Sequence, residues 1–351
     1  FKYIKVKDLS KFDKLVYETI NKNNEFKNDF IEMGSVENST LSGETWQFSF
    51  GVDKVIFDKL KQFKTTLNDI SDKLYQGIVT GADAIFILEE VNIVGDVFKG
   101  YSKILEKEIT IEKKLLKPLL KGSEIRRYET PKWKYWVIFP YNIEGEKAIP
   151  LSKDILYNDY PLAYQYFEEN KELLQSRERG KWKIPLYWQF SRNQNMVECS
   201  RKKIMTQVLA SRASYTADFE GKYYFVGGGN AGGYGIKLKP EYEQHYHYLL
   251  GILNSKAIDR YLQHVSTQFR GGFYSYAKRF IEKLPIYLPN SSDKSKFEMG
   301  KKIEEYVKII LDYRKNESKQ DDADFLENKV NELVYKLYDL TDEEIKIIES
   351  K

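Results

Sequence analysis

Residues 223–239 read YYFVGGGNAGGYGIKLK, and what flanks the glycines decides the fold. The string contains GxGxxG at Gly227, Gly229 and Gly232. A dinucleotide fingerprint needs a strand before that loop and a helix after it, so that the helix N-terminus faces the pyrophosphate. Residues 223–226 supply the strand, but Ile236-Lys237-Leu238-Lys239 alternates as another strand and opens no helix. The context is that of a flexible hairpin loop, which disfavours the nucleotide reading.

Working outward, residues 203–208 form a strand, with Arg192, Arg201, Lys202 and Arg212 around it. Residues 246–264, YHYLLGILNSKAIDRYLQH, have the spacing of one amphipathic helix. Residues 134–141, KYWVIFPY, are the strongest buried-strand signal, broken by Pro150 and the polar run to Asp159. Residues 162–174 have helical periodicity, and Pro161 stands where a first helical turn tolerates it. Residues 70–88 predict a strand, a turn bracketed by Gly77 and Gly81, and a second strand at 84–88. Residues 115–120 are apolar, interrupted by Pro118 and followed by the polar turn Lys121-Gly122-Ser123. Near the start, residues 1–6 alternate and residues 52–63 have a helical pattern. Beyond a polar linker at 290–296, residues 297–313 and 325–337 read as two helices joined by the charged loop 315–324. Mixed strands come first and helices last, an α+β order with a C-terminal helical pair expected to pack antiparallel against the body.

Of the 351 residues, 42% are hydrophobic and 15% aromatic, enough for a substantial core; the 27 tyrosines suit positions half buried and half wet. The net charge of +4 predicts no partner, but its distribution is uneven. From Lys171 to Ser214 there are ten basic residues against three acidic, and from Ser255 to Lys283 six against two. From Asp293 onward the balance reverses, twelve against sixteen. Two basic segments and an acidic tail can present a basic face on a nearly neutral protein. The single cysteine, Cys199, allows no internal disulfide and fits a reducing cytoplasm. No run approaches the roughly 20 apolar residues of a membrane helix. The chain opens on Phe1 rather than Met, which reads as a fragment or a processed form.

Catalytic signatures are missing. Three histidines (His245, His247, His264) and one cysteine do not make a typical zinc site, and His245-x-His247 on an aromatic helix start reads as packing. There is no GxxxxGK[ST] and no GxSxG. The Asn/Asp/Ser-Pro-Pro-Tyr/Phe loop with which an adenine methyltransferase grips a flipped base is absent; Asn158-Asp159-Tyr160-Pro161 is the nearest string and does not match. A nuclease-like Glu-x-Lys triplet runs from Glu112 to Lys114 with no Pro-Asp before it. Neither catalytic nor metal residues are expected.

Several strings occur in order: Gln76-Gly77-Ile78-Val79-Thr80-Gly81; residues 116–128, LKPLLKGSEIRRY; residues 136–141, WVIFPY; residues 160–192, with Arg177, Arg179, Trp188 and Arg192; residues 203–225; and LGILNSKAIDRYL, FRGG and KRFIEKLPI within 249–286. Together they resemble the TaqI-like C-terminal specificity domain, the target-recognition domain of type IIG restriction–modification enzymes and related adenine-N6 DNA methyltransferases, with the four named residues of 160–192 at matching places. The last of these is also similar to the specificity subunits of type I restriction systems. The resemblance covers about residues 76–340. It implies residues 1–70 as a junction after a methyltransferase domain, 71–290 as the DNA target-recognition domain and 291–351 as a helical section. It implies no cofactor in this chain, and S-adenosylmethionine for the parent enzyme, with Mg where DNA is also cut. The partners it implies are double-stranded DNA and the parent's methyltransferase domain.

Such a module needs cations for phosphates and a few side chains for base edges. Residues 188–194 and the glycine loop are the expected base-reading set, with Trp188, Ser191, Arg192, Gln194 and Asn230 its members. Lys121, Arg126, Arg127, Arg212, Arg270 and Arg279 are expected on the backbone, with Gly271 allowing main-chain approach. Gln76 and Thr80 would position the strand, or simply make a tight turn. Arg126 and Arg127 would contact DNA, or pair with Glu124 and Glu129. Trp188 serves a core as well as a base, and Tyr274 and Tyr276 share a face that packs inward or forms an aromatic surface. A BREX-type phage-defence methyltransferase has a similar specificity region, and a basic protein-docking module is the reading from another class.

Overall fold

A computed structural model describes residues 2–6, 9–20, 26–28, 30–35, 51–89, 92–102 and 104–350. Its centre is an antiparallel sheet in the order Tyr215–Asp218, Lys203–Gln207, Gly233–Leu238, Ser71–Gln76. Successive strand side chains face opposite ways, and here both faces are covered. Ile204, Ile236 and Leu74 enter one core while Met205 and Tyr75 enter another. The first core is closed by helices, including Tyr246–Asn254, Lys256–Val265, Lys294–Tyr313 and Gln320–Leu337. The second lies under a second sheet, ordered Tyr224–Phe225, Leu116–Leu120, Tyr135–Ile138, Ile87–Glu89, and under the helix Pro161–Glu169. The α+β class therefore holds. Between the strands Lys203–Gln207 and Tyr215–Asp218, the ammonium of Lys203 and the carboxylate of Asp218 pair out of contact with water. Asp218 also accepts from the N–H groups of Lys222 and Tyr223, so the buried charge is paired and hydrogen-bonded.

The glycine loop differs from the hairpin expected of it. Tyr224–Phe225 pairs parallel with Leu119–Leu120 in the second sheet, whereas Gly233–Leu238 lies in the central one. The loop therefore crosses between two sheets. Main chains touch at the crossing: a Cβ on Gly77 would lie 1.9 Å from the Phe225 carbonyl oxygen, which only glycine avoids.

The single helix expected at 246–264 is two. Ser255 is extended and caps the second helix, its hydroxyl accepting from the N–H of Ile258. Asn254 turns away from the helix axis to bond both the N–H and the C=O of Tyr215, at 3.0 and 2.9 Å. The first of the two helices is buried on all sides rather than amphipathic. The strand expected at 84–88 begins instead as the helical turn Asp83–Phe86, because the Thr80 hydroxyl bonds Asp83 and accepts from the N–H of Ala82.

Other expectations agree. Residues 2–6 are a strand, Phe1 lying outside the described residues, and the helix Gly51–Lys61 falls where helical spacing was read. The C-terminal helices run antiparallel, since Lys296 at the start of one reaches the Leu337 carbonyl at the end of the other, 3.0 Å away. The three-stranded meander Asn92–Val94, Val97–Ser102, Lys107–Glu112 was not anticipated. Nor was the last helix, Asp342–Glu349, although its Thr341–Glu344 capping box is legible in the sequence. Among the described residues no helix is long and apolar enough to cross a membrane.

Candidate nucleic-acid interface

Six loops that are far apart in the chain meet along one edge of the two sheets through main-chain hydrogen bonds. Ser191 and Arg192 donate to Thr80 and Val79, Gly227 donates to Ile78, and Gly122 donates to Ala231. Val208 donates to Gly232, and Tyr276 donates to Val208. The turn at 77–81, the loop at 191–195, the glycine loop, the turn at 121–127, the end of the strand Lys203–Gln207 and the hairpin at 268–275 are thus neighbours. Loops on a rigid scaffold are where binding residues concentrate.

On this edge Arg192, Gln194, Asn230, Arg126 and Arg270 are exposed. Arg212 and Arg279, also exposed, follow the strand Leu209–Ala210 and the hairpin that pairs with it. Arg126, Arg212, Arg270 and Arg279 make no ion pair among the described residues, so their charge is available to an anionic partner. Lys121 holds its ammonium 3.8 Å from the centre of the Tyr135 ring. Arg192 is half exposed and bonds Glu178 at 2.7 Å. Its guanidinium pulls the Glu178 carboxyl below its usual range. Gly271 sits at the hairpin tip, and Tyr274 is half buried in the stem.

Other expected contacts lie inside. Arg127 is not paired with Glu124 or Glu129. Its Nε donates to Glu327 Oε2 at 2.6 Å, a residue 200 positions away, and its Nη1 donates to the Asn254 carbonyl. Arg314 binds the other oxygen of Glu327. The Arg127 guanidinium is therefore spent on tying the C-terminal helices to the body. Trp188 is buried, donating its indole N–H to the Leu151 carbonyl at 3.1 Å and stacking on Phe167, so it offers no face to a base. Thr80 is buried as well, and the Gln76 amide is committed to the Tyr234 hydroxyl at 2.8 Å. Both build the 77–81 turn. Ser191 rests over Gly81, its side chain turned inward. Tyr276 packs inward and donates to Asp259 at 2.6 Å, deciding its face in favour of the core.

Arg177 is the residue whose role the sequence did not disclose. It is buried in an irregular stretch, and its guanidinium donates to the carbonyls of Thr80, Gln189 and Tyr187, while Nε donates to Leu174. Burial lowers its pKa to about 10, which leaves it charged at neutral pH. It gathers the 77–81 turn and residues 187–189 around one cation and so sets the base of the 191–195 loop. A lone arginine among surface-type neighbours in the sequence carries no signal of this.

The remaining chemistry-bearing residues have structural partners. Glu112, start of the nuclease-like triplet, accepts from the N–H groups of Leu162 and Ala163 and caps a helix. His247 lies against Phe219, and burial lowers its pKa to about 4. Cys199 is buried, which raises its pKa to about 12. No group of three or more His, Cys, Asp or Glu suited to a metal occurs among the described residues.

Residues 117–286 match the family described as the TaqI-like C-terminal specificity domain. The matched segment is similar to that family over just under half of the chain. It runs from Lys117, within the second sheet, past the hairpin and contains every exposed arginine named above. The chain is also similar to the "Type II restriction enzyme and methyltransferase RM.Eco57I" of Escherichia coli, 23% identical over 272 residues. The match takes in 73% of this chain and 27% of that protein, so the chain spans about a quarter of the relative's length.

Proposed function

We propose that this chain recognises a DNA target sequence on behalf of a restriction–modification adenine-N6 methyltransferase, in the manner of type IIG enzymes. The observation that carries the reading is the single loop edge. Arg126 and Arg270, without an ion pair among the described residues, share that edge with the polar, exposed Arg192, Gln194 and Asn230, and the exposed Arg212 and Arg279 follow the adjoining strands, within the segment that matches a specificity domain. Phosphate contacts from the four arginines and Lys121 supply affinity by counterion release. Arg192, Gln194 and Asn230 have the donors and acceptors that distinguish base edges in the major groove. Arg192 exchanges Glu178 for DNA on binding, while Ser191 and Gly271 offer close approach. The methyl transfer, its S-adenosylmethionine and any Mg-dependent cleavage belong to a methyltransferase-bearing parent, acting in the cytoplasm against foreign DNA. In this assignment residues 1–70 form the junction to that domain, 71–290 the recognition domain with a likeness to type I specificity subunits, and 291–351 a helical section.

The test is selection from a random duplex library at two salt concentrations, with sequencing of the bound molecules. One short enriched motif that survives the higher salt is expected. Binding without enrichment would reduce the edge to a basic holding surface, and no binding at low salt would overturn the reading in favour of protein docking.

A further inference from the structure

The hairpin at the end of this edge carries an apolar feature that ion pairing does not use. Gln268–Phe269 pairs antiparallel with Phe273–Ser275, which puts Phe269 directly opposite Phe273. Phe269 is 38% exposed and Phe273 44%, beside a core in which most aromatic rings are fully covered. The turn between them is Arg270-Gly271-Gly272, with φ of +86° and +80° at the glycines. A Cβ at Gly272 would meet nothing within 4 Å, so glycine is there for the backbone conformation and the tip is open. The stem, by contrast, is anchored. Leu209 and Ala210 pair with Ser275 and Tyr274, and the Tyr276 hydroxyl holds Asp259.

We infer that this hairpin presses the Phe269–Phe273 pair against the bases and sugars of the bound duplex, at a step that the pair partly unstacks. The inference rests on the DNA reading above and adds a salt-independent stacking contribution to it. Two adjacent exposed rings on an anchored stem offer a joint apolar contact surface. Charge selects the partner: the exposed Arg270 stands in the turn that joins the two phenylalanines, and the exposed Arg212 follows the neighbouring strand, which suits a polyanion that also offers π-faces. Apolar wedges of this kind insert between base steps, and stacking on aromatic side chains tolerates any base sequence.

The experiment uses the full chain with a photo-crosslinking benzoylphenylalanine at position 269, 273, 194 or 325, irradiated with a pool of random-sequence duplexes at low salt. Phe325 is 60% exposed on an acidic C-terminal helix and serves as the control. DNA adducts are expected at 269, 273 and 194 and not at 325. Adducts at 194 alone would overturn the hairpin inference and leave the edge intact; equal labelling at 325 would also overturn it. Adducts nowhere would sink both readings. In parallel, the Phe269→Ala/Phe273→Ala variant should bind about tenfold more weakly with an unchanged slope of log affinity against log salt. Arg270→Ala should lower that slope by about one. Unchanged affinity in the double alanine variant, or a reduced slope, would overturn the stacking role.

Discussion

Arg126 and Arg127 are adjacent, carry the same charge and have the same acidic neighbours, yet the fold uses them for different ends. Arg126 is exposed and makes no ion pair among the described residues, and Arg127 lies between Glu327 and the Asn254 carbonyl. Removing Arg127 strips a buried carboxylate of one of its two arginines, a loss of a charged hydrogen bond that Arg314 only partly offsets. Arg127→Ala is therefore expected to cost about 2 kcal/mol of stability, read as a lower denaturation midpoint, with the salt slope of DNA binding unchanged. Arg126→Ala should leave the midpoint unchanged and lower the salt slope by about one. Identical behaviour of the two variants would contradict both assignments.

At the scale of elements, the break at Ser255 lets one helical stretch serve two surfaces. The first helix passes under the helical pair, and the second turns toward the hairpin stem, where Asp259 meets Tyr276. Asn254 stabilises that break by satisfying both main-chain groups of Tyr215. Asn254→Ala would leave the buried N–H of Tyr215 unpaired while its carbonyl keeps the N–H of Tyr128, a loss of about 2 kcal/mol, whereas Ser255→Ala loses a cap worth about 1 kcal/mol. Chemical denaturation of the two variants checks the order, and a larger loss at Ser255 would reverse the account. Helical spacing over 246–264 was legible because both halves are helical. The break was not, because the partner that makes it worthwhile, Tyr215, lies 39 residues away.

For the whole molecule, the C-terminal helices are part of the body rather than an appendage. Ile303, Val307, Val330 and Val334 share one core with Ile204, Ile236 and the buried helix Tyr246–Asn254. A chain ending at residue 290 would expose that face to water, a loss of large apolar side chains worth roughly 2 kcal/mol each. It should lose its cooperative thermal transition, as followed by calorimetry. A truncated chain that unfolds cooperatively at an unchanged temperature would make the helices a separate unit.

Local pattern determined much of this protein on its own. Strand periodicity, the glycine loop between strands, Pro161 at a helix start and the two C-terminal apolar stripes depend on neighbours within a few residues, and each is written in the chain. So are the strings of the specificity domain. Which polar residues face water is not written locally. Burial and pairing are long-range: Arg127 meets Glu327, Arg177 gathers carbonyls from three segments, Trp188 is covered by Phe167, and Gln76 is held by Tyr234. The loop edge is likewise made by main-chain bonds between segments far apart in the chain, as between Gly227 and Ile78, a proximity that spacing along the sequence cannot encode.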